Sequence, residues 1–322
     1  MAPRDKTQNR MLLRQCLMSS TRPLTDSNFS CGYVAVVGRP NVGKSTLINT
    51  LLGQKVSIVT PKPQTTRHRI LGVDTQENHQ AIYVDTPGIH RKAGKAMNRL
   101  MNRTAVNALV DADLIFFVTD ASHWTDEDQD ILERLEDVCV PVISLLNKID
   151  KVHPKSQLLE ALSVMAERWA FTEVIPICAR RKDDVEPLQR IVLAHLPLSE
   201  PLFPGSMITD RSQDFLVSEV IREKLMLAFR QEVPYGLTVQ IERFEEDEHG
   251  VVVHAIIWVE KDSQKGIVVG KGGGQLKRTG RSARLELKER FGCPVHLELW
   301  VKVKDNWADS EKDLLQLGFD MP

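Results

Sequence analysis

The sequence lacks several features that would assign it at once to a specialised class. No apolar run approaches the roughly 20 residues that a membrane-spanning helix requires, so no membrane span is predicted. The formal net charge is only −1, which excludes a global basic excess and confines any nucleic-acid contact to a local patch. Internal repeats and low-complexity tracts are absent as well. These absences leave a globular protein of ordinary composition, and its 322 residues favour two domains.

Cysteine is scarce and scattered, which excludes two further classes. Five cysteines occur, with no CxxC pair and no Cys/His cluster in the sequence. This distribution argues against structural zinc and against a disulfide framework. It indicates a reducing compartment, so we expect the protein in the cytoplasm.

Residues 1–29 form a basic segment without a clear structural pattern. Five Lys or Arg residues occur in the first 22 positions, and acidic residues are few. Two interpretations are open, a flexible tail or an Arg-rich transit peptide. Asp5, Asp26 and the weak amphipathic pattern favour the flexible tail.

Residues 30–197 alternate between short apolar runs and helical patterns. The apolar runs lie at 34–37, 70–73, 81–84, 114–118, 141–146 and 174–177, and helical patterns lie at 96–109, 127–135, 155–169 and 185–196. Thr125, three residues before Asp128, predicts an N-terminal capping box for the second of these helices. Apolar strands separated by helices predict an α/β domain with a mostly parallel sheet, covered on both faces.

The first strand runs directly into a glycine-rich loop, GRPNVGKST, which spans residues 38–46. Its spacing is G-x-x-x-x-G-K-[ST], with a strand before it and a helical pattern after it. Backbone N–H groups can surround a polyphosphate only if glycine stands where a Cβ would collide, and a helix N-terminus attracts the anion. Lys44 is predicted to bind the outer phosphates and Ser45 to ligate Mg²⁺. The loop therefore predicts a nucleoside triphosphate site, without specifying the base.

A second loop, Asp85-Thr86-Pro87-Gly88, follows the apolar run at 81–84. An open parallel sheet binds its ligands at such strand ends. We expect Asp85 to hold Mg²⁺ and the Gly88 N–H to meet the terminal phosphate.

A third loop, NKID at residues 147–150, specifies the base. The Asp150 carboxylate can accept hydrogen bonds from the N1–H and 2-amino group of guanine, a donor pair that adenine lacks. Asn147 is expected to tie this loop to the phosphate loop, and the Lys148 stem to cover the base. The three loops together predict GTP.

Cys178 and Ala179 follow the last strand, where GTPases often carry Ser-Ala-Lys. A backbone contact from Ala179 to the guanine O6 is expected to persist. The side-chain hydrogen bond that a serine would make is expected to be lost with Cys178.

The segment VTPKPQTTRHR, residues 59–69, has no apolar period and is predicted to be exposed and mobile. A threonine in it could reach Mg²⁺ when a γ-phosphate is bound and release it after hydrolysis. We expect Thr66 to do so, with Thr65 as the alternative that the sequence leaves open. For Arg67 and Arg69, the alternative to a functional role is a place on the solvated surface.

A proline-rich stretch separates this first domain from a second one with a different order of predicted helices and strands. Three prolines between positions 197 and 204 end the last helix and predict a linker at residues 198–212. Residues 213–322 predict the order α-β-β-α-α-β, followed by a short helix that Ser310 caps.

The second domain contains the loop GKGGG, residues 270–274, between two helical patterns. Residues 261–290 hold nine Lys or Arg against three acidic residues, a net charge of +6 that the whole-chain charge conceals. A small-residue loop beside a basic helix lets an RNA backbone approach closely. The predicted RNA-binding residues are Lys265, Ile267, Val269, Gly270, Lys271, Gly272, Gly273, Lys277, Arg278 and Arg281.

These motifs carry a family resemblance. GRPNVGKST, TTRHR, DTPGIH and NKID resemble the Era/TrmE group of translation-factor-related GTPases. The second domain resembles a type II KH domain, and from about residue 30 onward the whole chain resembles the Era family of bacterial ribosome-assembly GTPases. The GTP-binding set that this implies is Gly38, Arg39, Pro40, Asn41, Val42, Gly43, Lys44, Ser45, Thr46, Asp85, Thr86, Pro87, Gly88, Ile89, Asn147, Lys148, Asp150, Cys178 and Ala179. The implied catalytic set is Lys44, Thr66, Asp85, Gly88 and Asn41, with Mg²⁺ on Ser45, Thr66 and Asp85.

The resemblance also implies a function. It implies a monomeric GTP/GDP switch that binds the 3′ end of small-subunit (16S) rRNA and acts in assembly of the small ribosomal subunit. Peripheral association with the inner membrane face and coupling to the cell cycle are implied as well. Ile89 stands where other GTPases carry a water-orienting glutamine, so slow hydrolysis is expected. A potassium ion near Asn41 is a further expectation.

Other interpretations predict different features. An RNA-modification GTPase of the TrmE type requires a tetrahydrofolate or partner-enzyme module, and the sequence offers no segment for it. A P-loop kinase predicts an acceptor pocket and no guanine preference, which the NKID loop opposes. A KH-like domain that serves only protein interaction predicts no RNA binding through the GKGGG loop.

Overall fold

The computed structural model describes residues 29–88, 95–230 and 233–319. These residues divide into two compact units. The first contains most of the chain up to Asp210, and the second runs from Arg211 onward. Two short segments from the first half, 58–65 and 95–100, group with the second unit. Among the described residues, no helix combines the length and apolar character needed to cross a membrane.

The first unit is built on a six-stranded sheet. Its strands are β1 (Ser30–Val37), β2 (Ile70–Thr75), β3 (His79–Asp85), β4 (Leu114–Asp120), β5 (Val142–Asn147) and β6 (Glu173–Pro176), in the order β2-β3-β1-β4-β5-β6. β2 pairs antiparallel with β3, and all other neighbours are parallel. The prediction of a mostly parallel sheet is therefore confirmed.

Within the described residues, five helices alternate with these strands along the sequence. They are α1 (Lys44–Leu52), α2 (Ala96–Val110), α3 (Asp126–Arg134), α4 (Ser156–Arg168) and α5 (Lys182–His195). Residues 96–100 of α2 group with the second unit. One core cluster contains Val34, Leu47 and Phe116, and another contains Ala35 and Phe117, so successive residues of β1 and β4 face opposite sides of the sheet. Apolar burial on both faces explains why these strands read as continuous apolar runs.

The capping box predicted at Thr125 is confirmed at the start of α3. The Asp128 N–H donates to Thr125 Oγ1, and the Thr125 N–H donates to Asp128 Oδ2 at 3.0 Å. This reciprocal pairing satisfies backbone donors that the first turn of a helix leaves free.

Residues 198–210, part of the predicted linker, run along the first unit. The side-chain carbonyl of Gln80 accepts from the Leu202 and Phe203 N–H groups, each at 2.9 Å. Asp210 Oδ1 accepts from the Leu71 N–H at 3.0 Å. These hydrogen bonds hold the proline-rich stretch to the edge of the sheet.

The second unit has the predicted order. Its elements are α6 (Gln213–Ala228), β7 (Leu237–Asp247), β8 (Gly250–Val259), α7 (Asp262–Val269), α8 (Gly274–Phe291), β9 (Val295–Val303) and α9 (Glu311–Gln316). β8 lies centrally, antiparallel to β7 and parallel to β9. The helices cover one face of this sheet through a core that includes Val220, Val253 and Leu287. Ser310 caps α9 by accepting from the Asp313 N–H, as predicted.

Candidate functional site

The glycine-rich loop lies between the end of β1 at Val37 and the start of α1 at Lys44. Gly43 has φ 109°, and a Cβ built there would lie 2.3 Å from Asn147 Nδ2. A Cβ on Gly38 would lie 2.3 Å from the Val118 carbonyl oxygen. Both glycines are thus required because neighbouring groups leave no room for a side chain.

Lys44 is buried at the N-terminus of α1, with its ammonium held over the loop. Its Nζ donates to the carbonyl oxygens of Gly38 at 2.8 Å and Arg39 at 3.0 Å. Burial lowers the pKa of Lys44 to about 8, against the raising effect of Asp85. Because the helix N-terminus faces the same loop, the arrangement suits an anion.

Three oxygen-bearing side chains meet beside Lys44. Ser45 Oγ lies 2.9 Å from Thr66 Oγ1, which donates to Asp85 Oδ2 at 3.4 Å. Asp85 is fully buried, and its Oδ1 has no hydrogen-bond partner within the described part of the chain. Burial raises the pKa of this carboxyl, against the lowering effects of Ser45 and Lys44. Two hydroxyls and a carboxylate with an unpaired oxygen fit a hard cation such as Mg²⁺.

Thr65, the alternative to Thr66, lies in other surroundings. Its Oγ1 is 2.6 Å from Thr60 Oγ1 and donates to the Lys62 carbonyl at 2.7 Å. The structure therefore places Thr66, and not Thr65, next to Ser45 and Asp85.

The loop after β3 contacts β1 through the Thr86 side chain and approaches the phosphate loop at Gly88. Thr86 is buried and donates to the Val36 carbonyl at 2.9 Å, so its hydroxyl faces β1. A Cβ on Gly88 would lie 2.6 Å from Pro40 Cγ, which shows how closely this loop approaches the phosphate loop. Ile89, predicted at the position of a catalytic glutamine, lies outside the described residues.

Asn147 connects three loops of the first unit. Its Nδ2 donates to the Val42 carbonyl at 2.6 Å, and its Oδ1 accepts from the N–H groups of Lys148 at 2.7 Å and Ala179 at 2.8 Å. The side chain thereby joins the phosphate loop to both loops predicted to contact guanine.

Lys148 is anchored by a residue that sequence reasoning missed. Its Nζ donates to Asp120 Oδ2 at 2.8 Å, at the end of β4. Burial of the Asp120 carboxyl raises its pKa, but hydrogen bonds from Lys148 and Ser122 outweigh this effect and lower the pKa to about 2. Asp120 could have been noticed as a carboxylate at the carboxyl end of a predicted parallel strand.

Cys178 is buried in the loop that follows β6. Burial raises the pKa of the Cys178 thiol, against the lowering effect of the Arg180 backbone. The Cys178 N–H donates to Asp184 Oδ2 at 2.9 Å, which anchors the loop. That the side-chain hydrogen bond of a serine is lost with Cys178 stays a prediction.

Arg39 belongs to the loop predicted to bind nucleotide, and its side chain pairs with a distant segment. Its Nε donates to Asp128 Oδ2 at 3.0 Å, and its second guanidinium nitrogen lies 3.3 Å from His123 Nε2. The Arg39 carbonyl accepts from Lys44 Nζ within the phosphate loop.

Two polar residues of α1 were also missed. Asn49 Oδ1 accepts from the N–H groups of Val56 and Ser57, and its Nδ2 donates to the Ser57 carbonyl at 2.7 Å. Thr50 Oγ1 donates to the Ala179 carbonyl at 2.7 Å. Both lie one helical turn after Ser45 and Thr46, and this spacing was the available signal.

The prediction that residues 59–69 are exposed is wrong for much of the segment. Thr60, Thr66 and Arg67 are buried, and Arg67 is only 2% exposed. Within the second unit, Glu223 Oε1 accepts from the Val59 N–H at 2.9 Å, and Lys62 Nζ donates to the carbonyls at the C-terminal end of α6. A helix C-terminus attracts cations, which explains why this lysine is not in solvent.

The GKGGG loop of the second unit links α7 to α8. Gly270, Gly272 and Gly273 all have positive φ, at 72°, 59° and 74°. Side chains added at Gly272, Gly273 and Gly274 would meet open space. The loop is therefore an open, left-handed turn at the N-terminus of α8, where a phosphate can approach the backbone.

The cations around this loop lie in solvent. Lys265, Lys271, Lys277, Arg278 and Arg281 are all exposed. Ile267 is 50% exposed beside them. Val269 packs against the core of the unit and is partly buried.

Comparison with known proteins covers both units. Residues 33–148 match the family described as 50S ribosome-binding GTPase, and residues 232–308 match the KH domain family. GTPase Era of Vibrio vulnificus (strain YJ016) is 48% identical over 297 residues, which are 92% of this chain and 93% of the relative. GTPase Era of Coxiella burnetii (strain Dugway 5J108-111) is 50% identical over 290 residues, 90% of this chain and 98% of the relative.

Two solved structures are similar over nine-tenths of this chain. One is Era in complex with MgGDPNP and nucleotides 1506–1542 of 16S ribosomal RNA, with 40% identity, a TM-score of 0.86, and coverage of 90% of this chain and 99% of that one. The other is a single-residue variant of Aquifex aeolicus Era bound to GDP and AlF4⁻, with 39% identity, a TM-score of 0.84 and the same coverage. The predicted GTPase and KH folds are thereby confirmed, and the chain belongs to the GTPase Era family.

Proposed function

We propose that this GTPase is a molecular switch that binds small-subunit (16S) rRNA near its 3′ end and acts in assembly of the small ribosomal subunit. One observation carries this proposal: a protein of the same family, solved with MgGDPNP and nucleotides 1506–1542 of 16S rRNA, matches 90% of this chain. The open GKGGG loop with its exposed cations supports the same conclusion.

The first unit supplies the nucleotide site in this proposal. Lys44 binds the outer phosphates together with the backbone N–H groups of the loop. Ser45, Thr66 and Asp85 hold Mg²⁺, which neutralises charge on the outer phosphates when bound. Asp150 selects guanine. The buried position of Asp85 supports its role, because a metal ion would compensate the cost of burying its charge.

Base selection is tested by Asp150→Asn. The variant loses the acceptor for the guanine N1–H and 2-amino group, so we expect preference to shift from GTP toward XTP. Affinity for both nucleotides is measured by competition with a fluorescent GDP analogue. Retained GTP selectivity would refute the role assigned to Asp150.

RNA binding is tested by Gly272→Asp, which places a negative charge and a side chain in the open loop. Fluorescence anisotropy with an RNA of nucleotides 1506–1542 should show a marked loss of affinity, on the order of tenfold or more. Gly292→Asp is the matched control, because Gly292 has a similar φ of 68° and open surroundings at the opposite end of α8. Equal RNA binding by the two variants would exclude RNA contact through this loop. The same measurement with GTP and GDP analogues bound shows which nucleotide strengthens RNA binding.

Hydrolysis and its ion dependence are a further part of the proposal. We expect a slow intrinsic rate, with a potassium ion near Asn41, which has a left-handed φ of 64°. The hydrolysis rate is compared in K⁺ and Na⁺ at equal ionic strength. Equal rates in the two salts would contradict the potassium site.

Peripheral contact with the cytoplasmic face of the cell membrane and coupling to the cell cycle complete the proposal. Flotation with anionic vesicles tests the first, and a protein that stays entirely in the dense fraction would refute it. Depletion in cells tests the second: division timing that is unchanged while subunit maturation fails would separate the protein from the cell cycle.

A further inference from the structure

We propose that Asp128 is a positioning residue for nucleotide binding: through Arg39 it fixes the phosphate loop whose carbonyl groups hold Lys44. Asp128 lies at the N-terminus of α3, outside the loops that form the site. Its Oδ2 accepts from Arg39 Nε at 3.0 Å, which joins residues 89 positions apart in the sequence. The inference concerns the same nucleotide site as the proposed function and rests on it.

The ion pair is shielded from water. The Asp128 side chain is 0% exposed, and the Arg39 side chain is 12% exposed. A buried charge is tolerated only when it is paired, and removal of one partner leaves the other uncompensated. A capping residue alone has no need of this burial, since capping boxes function at exposed helix ends.

The connection to the reacting part of the site runs through the backbone of Arg39. Its carbonyl oxygen accepts from Lys44 Nζ at 3.0 Å, next to the Gly38 carbonyl at 2.8 Å. Gly38 packs closely on β4, because a Cβ added there would lie 2.3 Å from the Val118 carbonyl oxygen. The side chain and the carbonyl of Arg39 thus bind two fixed points, α3 on one side and Lys44 on the other.

A purely structural role for Asp128 predicts something different. The Asp128 carboxylate also accepts from the Thr125 N–H at 3.0 Å and from Thr125 Oγ1 at 2.8 Å, as the cap of α3. If capping were its only role, Thr125→Ala would reproduce the effect of Asp128→Asn on nucleotide binding. If Asp128 acts through Arg39, the two variants differ.

The experiment compares Asp128→Asn, Arg39→Gln and their double variant with Thr125→Ala and Asp126→Asn. Asp126 is an exposed acid in the same turn, and its variant controls for the lost charge near the helix terminus. Affinity and dissociation rate of fluorescent GDP and GTP analogues are measured with Mg²⁺ present, together with the melting temperature of each variant.

We expect Asp128→Asn and Arg39→Gln each to weaken both nucleotides about tenfold, as for loss of a buried charged hydrogen bond. The double variant should be no weaker than the weaker single one, because both remove the same interaction. Thr125→Ala should lower the melting temperature while keeping affinity within about twofold of the wild type, because a cap contributes to helix stability and not to the loop. The ratio of GTP to XTP affinity should stay unchanged in all variants, because Asp150 is untouched.

Three outcomes would overturn the inference. The first is wild-type nucleotide affinity in Arg39→Gln. This variant leaves the cap of α3 intact, so it tests the inference even if Asp128→Asn fails to fold. An equal loss of nucleotide affinity in Thr125→Ala would show that Asp128 acts only by capping α3. Strictly additive losses in the double variant would show that Arg39 and Asp128 act independently. A shift in GTP selectivity after Asp150→Asn, with unchanged affinity in Arg39→Gln, would overturn this inference and leave the proposed function standing.

Discussion

Asp120 accepts a hydrogen bond from Lys148 of the NKID loop, and replacement of Asp120 by asparagine gives a measurable test of that contact. Asp120 Oδ2 accepts from Lys148 Nζ at 2.8 Å, and Oδ1 accepts from the Ser122 N–H at 3.0 Å. Lys148 has a left-handed φ of 66°, which is unfavourable for a residue with a long side chain. We predict that Asp120→Asn lowers the stability of the first unit and weakens GTP binding.

The magnitude follows from the pKa of Asp120. Hydrogen bonds from Lys148 and Ser122 outweigh burial and lower this pKa from 3.8 to about 2. The Asp120 side chain is only 6% exposed, so solvent screens the interaction little, and the depression corresponds to about 2 kcal/mol of stability. Because the folded-state pKa is depressed, the contribution is fully present above about pH 4 and is lost as the pH falls through about 2. Asparagine keeps the size but not the charge, so the variant should lose about 2 kcal/mol at neutral pH.

Urea unfolding at about pH 7 and about pH 3, followed by tryptophan fluorescence, measures this difference. The destabilisation should shrink to about half at the lower pH, where the wild-type carboxyl begins to lose its advantage. Lys148→Met in the Asp120→Asn background should add little, because the pair is already broken. Wild-type stability of Asp120→Asn at neutral pH, or an equal loss at both pH values, would refute the assignment.

Two further predictions concern the phosphate loop and the metal site. Gly43→Ala should abolish nucleotide binding, because the new Cβ would lie 2.3 Å from Asn147 Nδ2. Gly53→Ala is the control and should retain binding, because Gly53 has a φ of 66° and open space around it. Calorimetric titration with GDP compares the two variants. Thr66→Val should weaken the Mg²⁺-dependent affinity for a GTP analogue about tenfold, while Thr65→Val should not. An equal effect of the two threonine variants would contradict the placement of Thr66 beside Ser45.

The parts of the site that the sequence predicted are those encoded locally. The phosphate loop is a strand, a glycine-rich turn and a helix in direct succession, so its spacing alone located Gly43 and Lys44. Asp85 and Asn147 each follow an apolar run, and the rule that parallel strands end at a common edge brought them to one place. The fold order of both units was predictable for the same reason, since hydrophobic period and turn residues are short-range signals.

The parts that the sequence did not predict depend on partners far along the chain. An arginine inside a phosphate loop would be expected to contact the bound anion. Arg39 instead pairs with Asp128, which lies 89 residues later in the sequence. Arg67 belongs to a polar segment without period, yet it is 2% exposed. Nothing in the local pattern distinguishes a buried, paired arginine from a solvated one, because the difference lies in the tertiary structure that surrounds it.

Cys178 shows how backbone anchors determine what a side chain can do at this site. The Cys178 N–H is held by Asp184 Oδ2, and the Ala179 N–H is held by Asn147 Oδ1 at 2.8 Å. These two bonds are made by main-chain N–H groups, so they fix the loop whatever residue stands at position 178. We therefore expect the site to tolerate cysteine in place of serine there, because the geometry of the loop comes from the main chain and from Asn147 rather than from the side chain at 178.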